Sequence, residues 1–112
     1  GQGVRWTAWG TTANNANAKT LKCYFGSQLV STTSLTANQA SVWRVSGNVF
    51  STATDAQDWI THLAQGGSTT ITDVESGTAT QDDGAAITLK CTGEATTTND
   101  IVMDGLTYDL VN

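Results

Sequence analysis

The chain has 112 residues, a formal net charge of -5 and 13% charged against 38% hydrophobic residues, which suits one domain spanning residues 1–112 and excludes a highly charged disordered chain. Its five Lys and Arg are scattered, which argues against nucleic acid as a partner, because phosphate binding needs clustered cations to release counterions. No apolar run is long enough for a membrane-spanning helix and no basic segment leads into an apolar one, so no membrane partner is expected; a targeting signal could have been lost with the start of the chain, and localisation is not read from this absence.

The chain begins at Gly1 rather than Met, which points to a processed protein, a fragment or a trimmed chain. A Thr-rich, Leu-poor composition with 11 Gly and no Pro favours strands and turns, since β-branched side chains lose less freedom on a pleated surface than in a helix. Short alternating runs bounded by Gly, Asn, Asp and Ser predict roughly seven or eight antiparallel strands. In the first, residues 4–9, Val4, Trp6 and Ala8 face one way and Arg5, Thr7 and Trp9 the other. Leu21, Cys23 and Phe25 then oppose Lys22 and Tyr24, and Gly26-Ser27 reads as a tight turn into residues 28–31.

Residues 42–50 make the longest strand candidate, with Trp43, Val45 and Val49 on one face and Gly47 marking a bulge or a close backbone approach. The run DAQDWITHLA, residues 55–64, fits a helix capped by Asp55 and stopped at Gly66-Gly67, or a strand carrying Trp59, Thr61 and Leu63 on one face. The strand is favoured because both neighbours read as β. A Thr-rich strand is expected over residues 68–74 and a polar connection over residues 75–84. Ile87, Leu89 and Cys91 share the next face, and residues 101–111 alternate with a change of register that a bulge at Gly105 would reconcile. The expected fold is an all-β, antiparallel, jelly-roll-like sandwich.

Cys23 and Cys91 occupy matching contexts, Thr-Leu-Lys-Cys, each on an apolar strand face. One bridge and a pair of buried free thiols both remain open readings, because the Cα separation decides between them. Zinc needs four ligands, and one His with two separated Cys does not supply them. His62 with Asp58 could form part of a triad only if that segment were helical, and no GxSxG elbow accompanies it. The acidic residues, among them Asp55, Asp58, Asp73, Glu75, Asp82, Asp83 and Glu94, read as solvated loop carboxylates rather than a hydrolytic pair. Asp82-Asp83-Gly84 and Asn99-Asp100 with Asp104 could supply oxygen ligands to Ca²⁺, but neither fits an EF-hand loop. No enzyme activity, cofactor or metal is expected. Trp9, outward if Trp6 is buried, needs a partner: a subunit, a sugar ring or a covering loop.

The segments Val4-Arg-Trp-Thr-Ala-Trp-Gly10, Ala13-Asn-Asn-Ala-Asn-Ala-Lys-Thr-Leu-Lys22, Tyr24-Phe-Gly26, Leu35-Thr-Ala-Asn38, Trp43-Arg44, Thr98-Asn-Asp-Ile101 and Gly105-Leu106 together resemble a family of small β-rich structural proteins of tailed bacteriophages and prophages. The resemblance is most distinctive over residues 8–26. It implies a virion component, a capsid decoration, head-fibre or tail-fibre domain, homo-oligomeric and often trimeric. Its partners would be identical subunits, other virion proteins or a host-surface glycan, and the alternative readings are a carbohydrate- or receptor-binding β-sandwich module and an extracellular filament subunit. Related chains carry strand-forming sequence upstream, so an unpaired edge that a neighbour fills is expected here, and aliphatic residues stand where this chain has Cys23 and Cys91. Trp9, Tyr24, Asn14, Asn15 and Asn17 are the candidate interface or glycan contacts. The NNANA run between two strands reads as a compact connection, since Asn tolerates positive φ and a linker has no place inside one small core.

Overall fold

A computed structural model describes residues 2–66 and 72–111 of the chain. Eight strands form: β1 (Gly3–Thr12), β2 (Lys19–Phe25), β3 (Gln28–Leu35), β4 (Ser41–Ala53), β5 (Ala56–Gln65), β6 (Asp73–Ala79), β7 (Leu89–Glu94) and β8 (Ile101–Val111). They make two antiparallel sheets, of order β6-β5-β4-β1-β8 and β3-β2-β7. The fold is thus the all-β antiparallel sandwich that the alternation predicts, divided five and three. DAQDWITHLA is strand, and its helical alternative fails because Asp55 takes a positive φ of 54° in the turn between β4 and β5 instead of capping a helix.

Two strand boundaries need correction. Residues 75–79, expected as loop, belong to β6, whose polar composition suits an edge strand with little apolar surface to cover. The strand expected over residues 68–74 falls partly outside the described residues; its described end, Asp73 and Val74, opens β6. The expected bulge near Gly105 forms: Trp9 pairs with Gly105 and Gly10 with Met103, leaving Asp104 as the extra residue. Gly47 sits in unbroken register and marks a close approach rather than a bulge. β1 is paired on both sides, so the free edges belong to β6 and β8 in one sheet and β3 and β7 in the other.

The core is built from Trp6, Ala8, Leu21, Cys23, Phe25, Val30, Leu35, Trp43, Val45, Val49 and Leu63, all buried. Within it the rings lie flat on glycines of the adjacent strand. Trp6 pairs with Gly47, Trp43 with Gly10 and Trp59 with Gly77, and each ring occupies the space a Cβ would need. Cys23 lies directly opposite Cys91 across β2 and β7, and the two are joined as a disulfide. On the other side of β2 a bulge leaves Val30 unpaired in the ladder, and the Thr61 hydroxyl donates to its carbonyl at 2.6 Å, tying the two sheets together.

Two outcomes follow from this packing. A Cβ at Gly47 would stand 2.6 Å from the Trp6 ring, so Gly47→Ala is expected to lower stability by about 1–3 kcal/mol as overpacking does, read by urea denaturation. Reducing the disulfide, which spans a sequence separation of 68, is expected to lower stability by about 4 kcal/mol on the chain-entropy relation, read by the same titration with and without a thiol reductant.

Candidate functional site

The NNANA connection is held by a buried polar network. Lys19, at the start of β2, is only 1% exposed, and Asp100, just before β8, is 2% exposed. The Lys19 ammonium donates to the Asn15 carbonyl (3.3 Å), the Asn15 side-chain oxygen (2.8 Å) and the Asn17 carbonyl (3.0 Å). The Asp100 carboxylate accepts from Asn15 Nδ2 (2.7 Å), Asn17 Nδ2 (2.8 Å), Thr97 Oγ1 (2.7 Å) and the Thr97 amide (3.1 Å). Asn15 therefore stands between a buried cation and a buried anion, giving its oxygen to one and its amide to the other. This meets the requirement that buried charges be compensated by hydrogen bonds. The Asn38 amide adds a bond to the Asn15 carbonyl at 2.8 Å.

These bonds, those from Asn15, Asn17 and Thr97 first, hold the Asp100 carboxyl well below the usual carboxylate range. The side chains of Asn15 and Asn17, proposed from sequence as outward contacts, are thus turned to Asp100, while Asn14 is exposed. In the sequence Asp100 enters only as a calcium-ligand candidate with Asn99 and Asp104, and Lys19 only as the start of a strand; neither is expected to be buried. The signal was present in the alternation itself, since Lys19 shares the inward face of Leu21, Cys23 and Phe25.

Trp9 faces outward, as expected, and is 40% exposed. Its partner is Gly105 of β8, opposite it in register, over which the ring lies. Tyr24 is on the outer face of β2 with the Lys90 ammonium 5.3 Å from its ring centroid. His62 and Asp58 lie on the outward face of β5 with Ile60 between them. The loop carboxylates are engaged with backbone: Asp55 and Asp83 each accept the other's amide at 2.9 Å, Gln57 Nε2 donates to Asp83 at 2.7 Å, and Asp82 accepts from Gly84. Among the described residues no group of three or more His, Cys, Asp or Glu is placed to hold a metal.

The two sides of the sandwich differ. On the β3/β6 side, Glu75 accepts the Thr32 amide at 2.8 Å, Asp73 accepts the Thr33 hydroxyl at 2.9 Å, and Gln65 accepts the Thr36 amide at 2.9 Å. Burial, opposed by the Thr32 bond and reinforced by neighbouring Asp73, raises the Glu75 carboxyl above the usual range.

On the β7/β8 side the sandwich is open. The inward-facing row of β8 runs Ile101, Met103, Leu106, Tyr108, Leu110, and three of these remain exposed: Met103 at 47%, Tyr108 at 63% and Leu110 at 79%. Tyr108 and Leu110, with Leu106, line a groove of about 320 Å³ floored by Val4 and Phe25 and walled by Ile87 and Leu89. A five-stranded sheet over a three-stranded one leaves its last strand uncovered. This groove, between two free strand edges, is the candidate functional site.

No protein-family model, no curated protein and no solved structure matches the chain.

The Asp100 network makes stability depend on pH with a definite sign. A carboxyl depressed in the folded state contributes fully above its unfolded value, about 4, and that contribution is lost as pH falls from there through the depressed folded value. Denaturation titrations between neutral and strongly acid pH are expected to show a decline confined to that acid range. Asp100→Asn should flatten it and lower stability at neutral pH.

Proposed function

We propose that this chain is a non-enzymatic structural domain of a tailed-bacteriophage particle, a capsid decoration or fibre domain, that joins its neighbours through sheet edges. The observation that carries the reading is the uncovered apolar row of β8 beside two free strand edges. In a free-standing domain such an edge is an aggregation hazard, and in an assembly it is a contact surface. The segment with the most distinctive phage resemblance, residues 8–26, contains Trp9, Asn15, Asn17 and Lys19, each engaged in holding the fold. The resemblance accordingly follows scaffold residues rather than a reactive centre. Carboxylates that could serve chemistry, Asp55, Asp83 and Asp100, are committed to backbone amides and side-chain donors.

A second reading, binding of a host-surface glycan, is favoured by Trp9, whose half-exposed ring lies beside Arg44 of β4. Glycan-array binding that disappears in a folded Trp9→Ala variant would make it the preferred one.

The structural reading is tested by mass spectrometry of purified particles from a phage or prophage carrying the gene, together with co-sedimentation of the purified domain with particles from which it has been deleted. The expected result is a stoichiometric virion protein that rebinds. Absence from the particles with no rebinding would overturn the reading.

A further inference from the structure

We infer that the open side of the sandwich is closed by a second copy of the same chain, with β8 of each copy pairing against β7 of the other about a two-fold axis parallel to the strands. The inference deepens the structural reading above by naming the partner and the edges it uses.

Direction, pattern and charge each constrain the occupant. β7 and β8 run oppositely across the gap: a Cβ at Gly93 would touch Ile101 at 3.2 Å, and residues 85–89 face Leu106, Tyr108 and Leu110 across the groove. A two-fold rotation about an axis parallel to the strands preserves strand direction, so β8 meets the second copy's β7 antiparallel. The same operation places the smaller sheet of one copy in line with the larger sheet of the other. Both open edges close at once, by the isologous logic of most dimers.

The alternation fits as well. Ile87 and Leu89 face inward on the line of β7, matching the inward row of Leu106, Tyr108 and Leu110 on β8. The rows from both copies then meet in one apolar interior. β7 is a firm template for this pairing, because the Cys23–Cys91 disulfide fixes it to β2.

Charge selects this arrangement over the alternative. The strand β8 carries Asp104 and Asp109 and no Lys or Arg, so a symmetric pairing of β8 with another β8 would bring acid against acid. The line of β7 instead carries Lys90 on its outer face, over Tyr24, and its one acid, Glu94, is already paired with Lys22 at 2.8 Å. Across the gap Gly93 meets Ile101, and counting back through the bulge at Asp104 sets Lys90 level with Gly105, so the antiparallel register places the second copy's Lys90 beside Asp104. The exposed Arg5 already stands 3.9 Å from Asp109 on the same outer face.

The test is sedimentation equilibrium of the intact chain over a wide concentration range. A reversible dimer is expected. Leu110→Glu, at a largely exposed position that the monomer's core does not use, should weaken it by about 100-fold or more, with unchanged circular dichroism. Asp104→Lys and Lys90→Glu should each weaken it about tenfold, and the two together should restore it. A monomer up to millimolar concentration would overturn the inference, as would a dimer indifferent to Leu110→Glu. A dimer weakened by both single reversals and not restored by the double would overturn the β8-to-β7 pairing. A monomer that still rebinds to particles would sink the dimer and leave the virion reading standing; a dimer absent from particles would do the reverse.

Discussion

An indole in a pleated sheet needs a flat neighbour, and in the larger sheet of this protein that neighbour is a glycine one strand away. Trp6 lies on Gly47, Trp43 on Gly10, Trp59 on Gly77 and Trp9 on Gly105, and Phe50 uses Gly3 in the same manner. These pairs lock three ladders, β1 with β4, β1 with β8 and β5 with β6. A slip of one residue would set each ring against a side chain and turn it to the opposite face. The arrangement has a polar cost: Trp6 Nε1 and Trp59 Nε1 are buried with no hydrogen-bond partner among the described residues. The ring's packing on the glycine and the core outweighs that cost, because an aromatic of this size buries its largest area when it lies flat.

This pairing also explains what was legible in the sequence and what was not. Alternation placed Trp6, Trp43, Leu21 and Phe25 inward because a period of two is a local property that any eight residues display. It placed Trp9 outward for the same reason, yet the neighbour that half-covers it, Gly105, is 96 positions away by residue number and becomes visible only once β1 and β8 are paired. β6 carries no strand signal over residues 75–79 in the sequence, because the inward positions ahead of the buried Ala79 are Asp73, Glu75 and Gly77, polar or without a side chain where a buried strand would show apolar ones. Its strand character comes from the ladder with β5 and from the carboxylates that reach β3. Lys19 and Asp100 are buried charges 81 positions apart, and composition arguments treat such residues as surface. The open side is likewise a property of strand counts in the two sheets, which no local pattern encodes.

The two edges of the sandwich are managed by different chemistry. On the β3/β6 side, Glu75 accepts the Thr32 amide of β3 and Gln65 the Thr36 amide just beyond it, groups that would otherwise invite another strand, so this side is blunted. Glu75 tolerates an environment that raises its pKa to make that contact. On the β7/β8 side no such group intervenes among the described residues, and the side chains presented are Met103, Tyr108 and Leu110. A chain that blocks one pair of edges with polar groups and leaves the other apolar discriminates between its two sides. Under the proposed two-fold pairing, such discrimination would limit assembly to one face, and the contact there would close where a head-to-tail contact would continue into a filament.

β8 shows how the fold supports that face. Its first residue follows Asp100, whose carboxylate is gripped by Asn15, Asn17 and Thr97, so the strand begins at a rigid point. Four residues on, the bulge at Asp104 turns the register, and Gly105 seats the Trp9 ring on the outer face. Beyond it, Leu106 packs on the core while Tyr108 and Leu110 point to the same side with nothing over them. The bulge is what makes this possible: without the extra residue, the row led by Ile101 and Met103 would continue through Gly105 and Thr107, and Leu106, Tyr108 and Leu110 would face outward beside Arg5. One inserted residue therefore keeps both halves of β8 apolar on the inner face, and the buried network in the NNANA loop holds fixed the end from which that face is presented.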